Sequence, residues 1–275
     1  MEGKGKGPLR IIIFGAHPDD CEHYSGGTAA LWAREGAKVQ LVSITNGDAG
    51  HHETGGGALA GKRIAEAARS AEILGVGSLV MDFHDGELEP TLEVRKAVIR
   101  AIRNWRADIV ISHRPYDYHP DHRYTGQVIQ DAAFTVTVPN ICPDVPALTW
   151  NPAFFFSGDS FRKPTPFQPN VIVDVGPVMD KKILSFDAME CQVYEWIPWL
   201  EGKLDSVPET HAERLKWLEK EYADHFERAA TRYGELLTER YGAEHAAKVK
   251  YAEGFELCEY GSQPTREEIW EMFPK

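Results

Sequence analysis

The chain has 275 residues, 43% of them hydrophobic, and a formal net charge of −12, which suits a globular protein with a sizeable core. That acidic balance argues against a general nucleic-acid binder, which needs surplus Lys and Arg to neutralise phosphates. No stretch approaches the roughly 20 apolar residues that cross a bilayer, and the apolar run Ile11–Phe14 is too short for a signal-peptide core.

Residues 1–7, rich in Gly and Lys, read as a flexible N-terminus, and 8–275 as one domain. Leu9–Ala16 is an Ile-rich run bounded by Gly15 and Pro18 and reads as a buried strand. A polar turn follows, then a helix over Gly26–Gly36. Lys38–Thr45 is a second strand, ended by Asn46-Gly47, and His51–Gly57 is a Gly-rich loop. Ala58–Leu74 has helical spacing and stops at Gly75. Ser78–Phe83 is a third strand, Leu92–Trp105 a helix, and Ala107–Ser112 a fourth strand. The polar loop His113–His122 leads into a helix through Phe134. Pro139–Pro169, rich in proline, reads as an irregular excursion that shapes a pocket. Asn170–Val175 is expected as the fifth strand and Met179–Tyr194 as a helix. Over 208–245 the pattern is helical, with Leu215, Leu218, Tyr222, Phe226, Ala229, Tyr233 and Leu236 on one stripe. A stripe of this kind packs on the body of a domain more often than it recruits a partner.

Strands alternating with helices imply βαβ units, and the strand runs lack the alternation of a half-exposed sheet. The expected fold is therefore α/β: a Rossmann-like, doubly wound, mostly parallel sheet with helices on both faces. Cys21, Cys142, Cys191 and Cys258 form no CxxC pair. They read as free thiols, consistent with a cytoplasmic location.

The polar clusters follow strand ends. His17, Asp19 and Asp20 follow the first strand, Asn46, Asp48 and His51 the second, His84 and Asp85 the third, and His113, His119 and His122 the fourth. In an open parallel sheet these ends share one edge, and ligands bind where the strand order reverses. An order of 3-2-1-4-5 reverses between the first and fourth strands and brings Asp20 beside His122. Zinc favours imidazole and carboxylate ligands, three from the protein in a catalytic site. His17, Asp20 and His122 are that candidate set, and iron(II) or cobalt accepts the same donors. Asp19 cannot easily face the same ion as Asp20 and is placed to take a proton from water. His119 can stabilise an oxyanion, and Asp121 can orient a ligand histidine. Isolated loop histidines are usually solvated surface residues, but two His-Pro-Asp turns at one sheet edge make that improbable.

Ala16-His17-Pro18-Asp19-Asp20 with Gly26-Gly27, and His119-Pro120-Asp121-His122 downstream, resemble the PIG-L (LmbE-like) deacetylases. The likeness spans most of residues 9–200 and takes in Thr45-Asn46-Gly47, Arg63 with Glu66, Asp85-Gly86 and Val171–Gln192. It implies zinc on His17, Asp20 and His122, Asp19 as general base, His119 as stabiliser or acid, and deacetylation of an N-acetylglucosamine-type sugar or conjugate. A thiol-conjugate amidase is the alternative hydrolase, and a non-catalytic metal- or sugar-binding module the alternative of another class. The chain departs from the family at Cys21, where Glu is usual, and at Cys191-Gln192, where Ser-Gln is frequent.

Other residues carry two readings. Arg63 holds a substrate hydroxyl or phosphate, or makes a surface ion pair with Glu66 or Asp85. Asp48 and His51 touch substrate or are loop residues. Cys21 is a soft ligand or, more commonly, a small buried residue. His113 reads as a structural histidine, and one of Tyr116, Tyr118 and Tyr124 can gate the site. The expected partner is a small amino-sugar substrate. The Tyr and Trp content of the C-terminal third is compatible with a homo-oligomer.

Overall fold

The computed structural model describes residues 7–275, without the side chains of 223–225. The flexible terminus expected over 1–7 lies, apart from Gly7, outside the described residues. Strand β1 (Arg10–Gly15) pairs in parallel with β2 (Lys38–Thr45) on one side and β4 (Ile109–Ser112) on the other, and β3 (Gly77–Phe83) extends the sheet beyond β2. Beyond β4 come β5 (Ala153–Ser157), parallel, and then β7 (Ala252–Gly261), antiparallel to both β5 and the edge strand β6 (Val171–Asp174). The full order is β3-β2-β1-β4-β5-β7-β6. The expected 3-2-1-4-5 order holds, with one correction. The fifth parallel strand is Ala153–Ser157, inside the segment read as irregular, while Asn170–Val175 supplies the far edge.

Successive residues of β1 serve opposite faces, as the pleat requires. Ile11 and Ile13 pack with α1 (Asp20–Arg34), the end of α2 (Gly56–Leu74) and the C-terminal helix, whereas Ile12 and Phe14 pack with α3 (Leu92–Trp105) and α4 (Pro120–Thr135). Burial on both faces explains the unbroken apolar runs.

After β6 the chain forms α5 (Met179–Asp187), a π-helical turn over Cys191–Trp196, and short α6 (Ile197–Leu200). Long α7 (His211–Arg232) follows, then α8 (Gly234–Tyr241), α9 (Ala243–Ala246) and, after β7, α10 (Arg266–Met272). Leu218 and Phe226 of α7 pack on Ile183, Phe186, Val193 and Tyr194, so the apolar stripe faces the protein's own body. Among the described residues no helix is long and apolar enough to cross a membrane.

The Gly26-Gly27 pair has a packing reason. A Cβ on Gly27 would lie 2.6 Å from Cβ of Val175, whereas one on Gly26 would meet nothing closer than 3.8 Å. The adjoining Gly27 and Thr28 amides donate to Glu253 at 2.9 and 2.8 Å. Glu253 in turn binds Lys182 Nζ at 2.5 Å, a fully buried ion pair that ties α1, α5 and β7 together.

Candidate active site

Because β1 and β4 are neighbours, the turn after β1 and the loop after β4 meet at the carboxyl edge of the sheet. Asp20 opens α1, and its Oδ2 accepts from the His17 amide at 2.8 Å, which fixes the turn. His17 Nδ1 lies 3.3 Å from Asp20 Oδ2, and His122 Nε2 lies 3.3 Å from Asp20 Oδ1. The three residues separated by about a hundred positions thus share one buried cluster.

Other carboxylates ring the histidines. His17 Nε2 is 3.2 Å from both Asp85 Oδ1 and Asp121 Oδ2. His122 Nδ1 is 3.2 Å from Asp117 Oδ1. His113 lies parallel to His122, with ring centroids 4.2 Å apart, and its Nε2 accepts from the Ala16 amide at 3.2 Å. His119 caps α4, its Nδ1 accepting from the Asp121 amide at 3.2 Å, which leaves Nε2 as the protonated nitrogen.

Asp19 occupies a different position. Its backbone has φ 146, ψ −27, a conformation that L-residues avoid and that costs about 1–3 kcal/mol. The strained residue sends its carboxylate away from the Asp20 cluster to Arg63, 3.2 Å distant. Arg63 also donates to the Pro18 carbonyl and is only 2% exposed. The surface ion pair with Glu66 or Asp85 is therefore corrected: Arg63 is buried, and its partner is Asp19. Glu66 instead accepts from the Cys191 amide and thiol, at 3.1 and 2.7 Å.

The electrostatics follow this arrangement. Burial would lower the His17 pKa, but Asp121, Asp20 and Asp85 outweigh it and hold the imidazole well above its ordinary range. Burial likewise opposes protonation of His122, yet Asp20 and Asp117 bring it to about 9. Burial would raise Asp20, but the His122 and His113 imidazoles keep it well below the usual carboxylate range. Burial dominates at Asp19 and pushes it up to about 6 against the pull of Arg63. Burial and the neighbouring His17 and His122 lower His119.

Two imidazoles thus hold protons among carboxylates in a buried cluster, a charge pattern that a divalent cation can replace. The donors, imidazole nitrogen and carboxylate oxygen, suit zinc. Three overlapping groups have ligand atoms within 4.8 Å of one another: His17, His119 and His122; Asp20, His113 and His122; His17, Asp85 and Asp121. The grouping by distance therefore divides the expected set, with Asp20 bridging its two histidines. Buried Asp121 Oδ1 has no hydrogen-bond partner among the described residues.

A cavity of about 880 Å³ opens over the cluster. Asp19, Asp20, His17, His119, His122 and Arg63 all line it. Asp48 does not; it binds His84 Nδ1 at 2.7 Å and the Asp85 amide at 3.0 Å, so it holds the Asp85 loop. His51 pairs with Glu195 at 2.9 Å. Cys21 points into the core toward the Ile13 and Val42 carbonyls, at 3.4 and 3.6 Å, which rules out the soft-ligand reading. Of the three loop tyrosines, only Tyr118 lines the cavity; Tyr124 packs in the core. The sequence singles out neither Asp117 nor Trp196, and it marks Asp85 and Gln192 only by strand end, ion-pair candidacy or family likeness, without a site role. Asp85, Gln192 and Trp196 line the cavity. Asp117 carries a signal, a carboxylate two residues before His119 in a histidine-bearing loop, and Asp85 another, its place at the end of the third strand.

Residues 12–133 match the family profile described as PIG-L, GlcNAc-PI de-N-acetylase. The diacetylchitobiose deacetylase of Thermococcus kodakarensis is 33% identical over 208 residues, covering 70% of this chain and 74% of that protein. The chain belongs to the PIG-L family. Among solved structures, the N,N'-diacetylchitobiose deacetylase of Pyrococcus horikoshii superposes with a TM-score of 0.69 at 24% identity, over 92% of this chain and 85% of that one. The 4-carboxy-2-hydroxymuconate hydratase of Pseudomonas putida superposes as well, with a TM-score of 0.70 at 19% identity, over 94% and 99%. At these identities the superpositions establish the shared fold. That a hydratase shares it means the chemistry of a PIG-L protein has to be argued from its site.

Proposed function

We propose that this protein is a metal-dependent N-deacetylase whose substrate is an N-acetylglucosamine-type sugar or conjugate. The observation that carries this reading is the separation of Asp19 from Asp20. Adjacent carboxylates in one strained turn face different partners, so one can join an ion site while the other remains a base.

His17, Asp20 and His122 are the residues we assign to a zinc ion, with iron(II) and cobalt as the alternatives that the same donors admit. Such an ion, when bound, supplies Lewis-acid polarisation of the amide carbonyl and makes water easier to deprotonate. The chain's own groups do the rest. Asp19, with its carboxyl near 6, is ionised at neutral pH and basic enough to accept the proton of the attacking water. Arg63 holds that carboxylate in place. His119 can donate from Nε2 to the developing oxyanion. Water oxygen adds to the carbonyl carbon, the C–N bond breaks, and the proton taken up by Asp19 goes to the departing amine. The products are acetate and a free amino sugar. Asp121 and Asp117 orient His17 and His122 as carboxylates commonly orient ligand histidines.

The identity of the diacetylchitobiose-deacetylating relative supports the sugar class. The decisive experiment is acetate release from N-acetylglucosamine, its methyl glycoside and N,N'-diacetylchitobiose, with and without a chelator. Acetate release that the chelator abolishes is expected. Failure on every amide, with hydration of an unsaturated tricarboxylate in its place, would put this protein with the hydratase.

A further inference from the structure

The site cavity continues past Tyr118. A second cavity of about 870 Å³ adjoins it, and His23, Tyr24, Tyr118 and Arg228 line both. Each cavity alone is within the roughly 300–1,000 Å³ that holds a whole small-molecule ligand. A single N-acetyl sugar over the His/Asp cluster therefore leaves the second space unused. Phe161, Phe167 and Tyr233 give it an aromatic wall.

Its charges are unevenly matched. Three carboxylates line it, and each has a cation of its own. Asp159 is held by Arg114 at 2.6 Å, Glu227 by Lys250 at 3.0 Å, and Glu253 by Lys182 at 2.5 Å. Two arginines line it, and neither has a carboxylate partner among the described residues. Arg232 has a long contact to the Asp159 carbonyl, 3.5 Å, and lies over the Tyr233 ring. Arg228 is exposed at the boundary that the two cavities share. Among the described residues the charge here without an ionic partner is positive, in a protein whose net charge is −12. A guanidinium presents a planar fork suited to carboxylate or phosphate.

We propose that the second cavity receives the group glycosidically attached to the amino sugar, and that Arg228, assisted by Arg232, binds an anionic carboxylate or phosphate on that group. The proposal rests on the reading that an amino-sugar amide is cleaved at the His/Asp cluster. It places specificity for the conjugate on α7, outside the residues that match the family profile.

The test uses zinc-loaded full-length protein and three substrates: methyl N-acetylglucosaminide, its carboxymethyl counterpart and N-acetylglucosamine 1-phosphate. The two anionic compounds separate carboxylate from phosphate. The native protein should favour at least one of them over the methyl glycoside, and the advantage should shrink as salt rises. Arg228→Ala should lower kcat/KM for the preferred anionic substrate about tenfold, consistent with losing a charge-assisted hydrogen bond. The same change should leave the methyl glycoside within about twofold, and Arg228→Lys should restore part of the loss; Arg232→Ala is the second variant. Equal turnover of neutral and anionic substrates by the native protein overturns the proposal and leaves the deacetylase reading intact, as does an equal loss on all three in Arg228→Ala. Acetate from none of them sinks the deacetylase reading itself. Calorimetric affinity for N-acetylglucosamine 1-phosphate, in native protein and Arg228→Ala, then decides the anion site separately, and equal affinities overturn it.

Discussion

Lys182 and Glu253 set the stability of the scaffold that presents Asp20. Lys182 Nζ donates to Glu253 Oε1 at 2.5 Å and to the His23 carbonyl at 2.8 Å, and it lies 4.2 Å from the Phe226 ring centre. The two side chains are 1% and 5% exposed, so solvent screens them little. Breaking one side of a buried pair costs about 3–5 kcal/mol because the other charge is left uncompensated. Lys182→Met should fall near the lower end, about 3 kcal/mol, because Glu253 keeps its bonds from the Gly27 and Thr28 amides. Glu253→Leu should cost about 5 kcal/mol, since it strands a buried cation and orphans both amides. The double variant has no stranded charge and leaves two unpaired N–H groups, worth about 1–3 kcal/mol each. It should be less destabilised than Glu253→Leu alone. Urea unfolding followed by tryptophan fluorescence measures all four corners of the cycle. With roughly 2–4 °C of melting temperature per kcal/mol for a chain near this size, Lys182→Met should melt about 6–12 °C lower. An additive double variant, or a Lys182→Met cost below about 1 kcal/mol, would refute the claim that the pair acts as a unit.

The remaining predictions concern the site and its frame. Asp19→Asn should reduce kcat by about 10²–10⁴ while metal content stays unchanged; loss of metal along with activity would move Asp19 into the ligand set. In metal-free protein His17 and His122 carry protons at pH 7, since His122 titrates at about 9 and His17 is also raised. Ligand nitrogens must be neutral, so zinc loading should release protons, and zinc affinity should rise with pH and fall as pH drops. Calorimetry in buffers of different ionisation enthalpy counts those protons, and none released would exclude these two histidines as ligands. Gly27→Ala forces a methyl against Val175 and should cost about 1–3 kcal/mol. Gly26→Ala makes only ordinary contacts, none closer than 3.8 Å, and should be neutral or stabilising by up to about 1 kcal/mol. Chemical denaturation distinguishes the two, and a reversed order would contradict the packing.

Much of the sheet is readable because β1 and β4 are buried apolar runs, β2 is buried from Leu41 onward, and helical periods separate the strands, as a covered parallel sheet requires; only the edge strand β3 is largely exposed. The reading failed where pairing is long-range. Ala153–Ser157 is five residues among prolines, and nothing local marks it as a strand until β4 and β7 close on either side. β7 itself went unread. Its Glu residues recur every third position instead of every second, so no strand period marks it, and its partners lie some 80 to 100 residues earlier.

The site divides along a similar line. The neighbouring of β1 and β4 was implied by topology, and it brings His17, Asp20 and His122 into one cluster. The carboxylates that hold the histidines come from three different segments, and Asp85, although it stands at a strand end, has no spacing that ties it to His17. Of the two readings of Arg63, the surface ion pair fails for an instructive reason. As a helix residue with Glu66 three positions on, it has the local look of a surface ion pair. Its actual partner exists only because Asp19 adopts φ 146, a conformation that no local preference favours and that the surrounding contacts must impose. The separation of the Asp19 and Asp20 carboxylates thus rests on backbone conformation rather than on residue type.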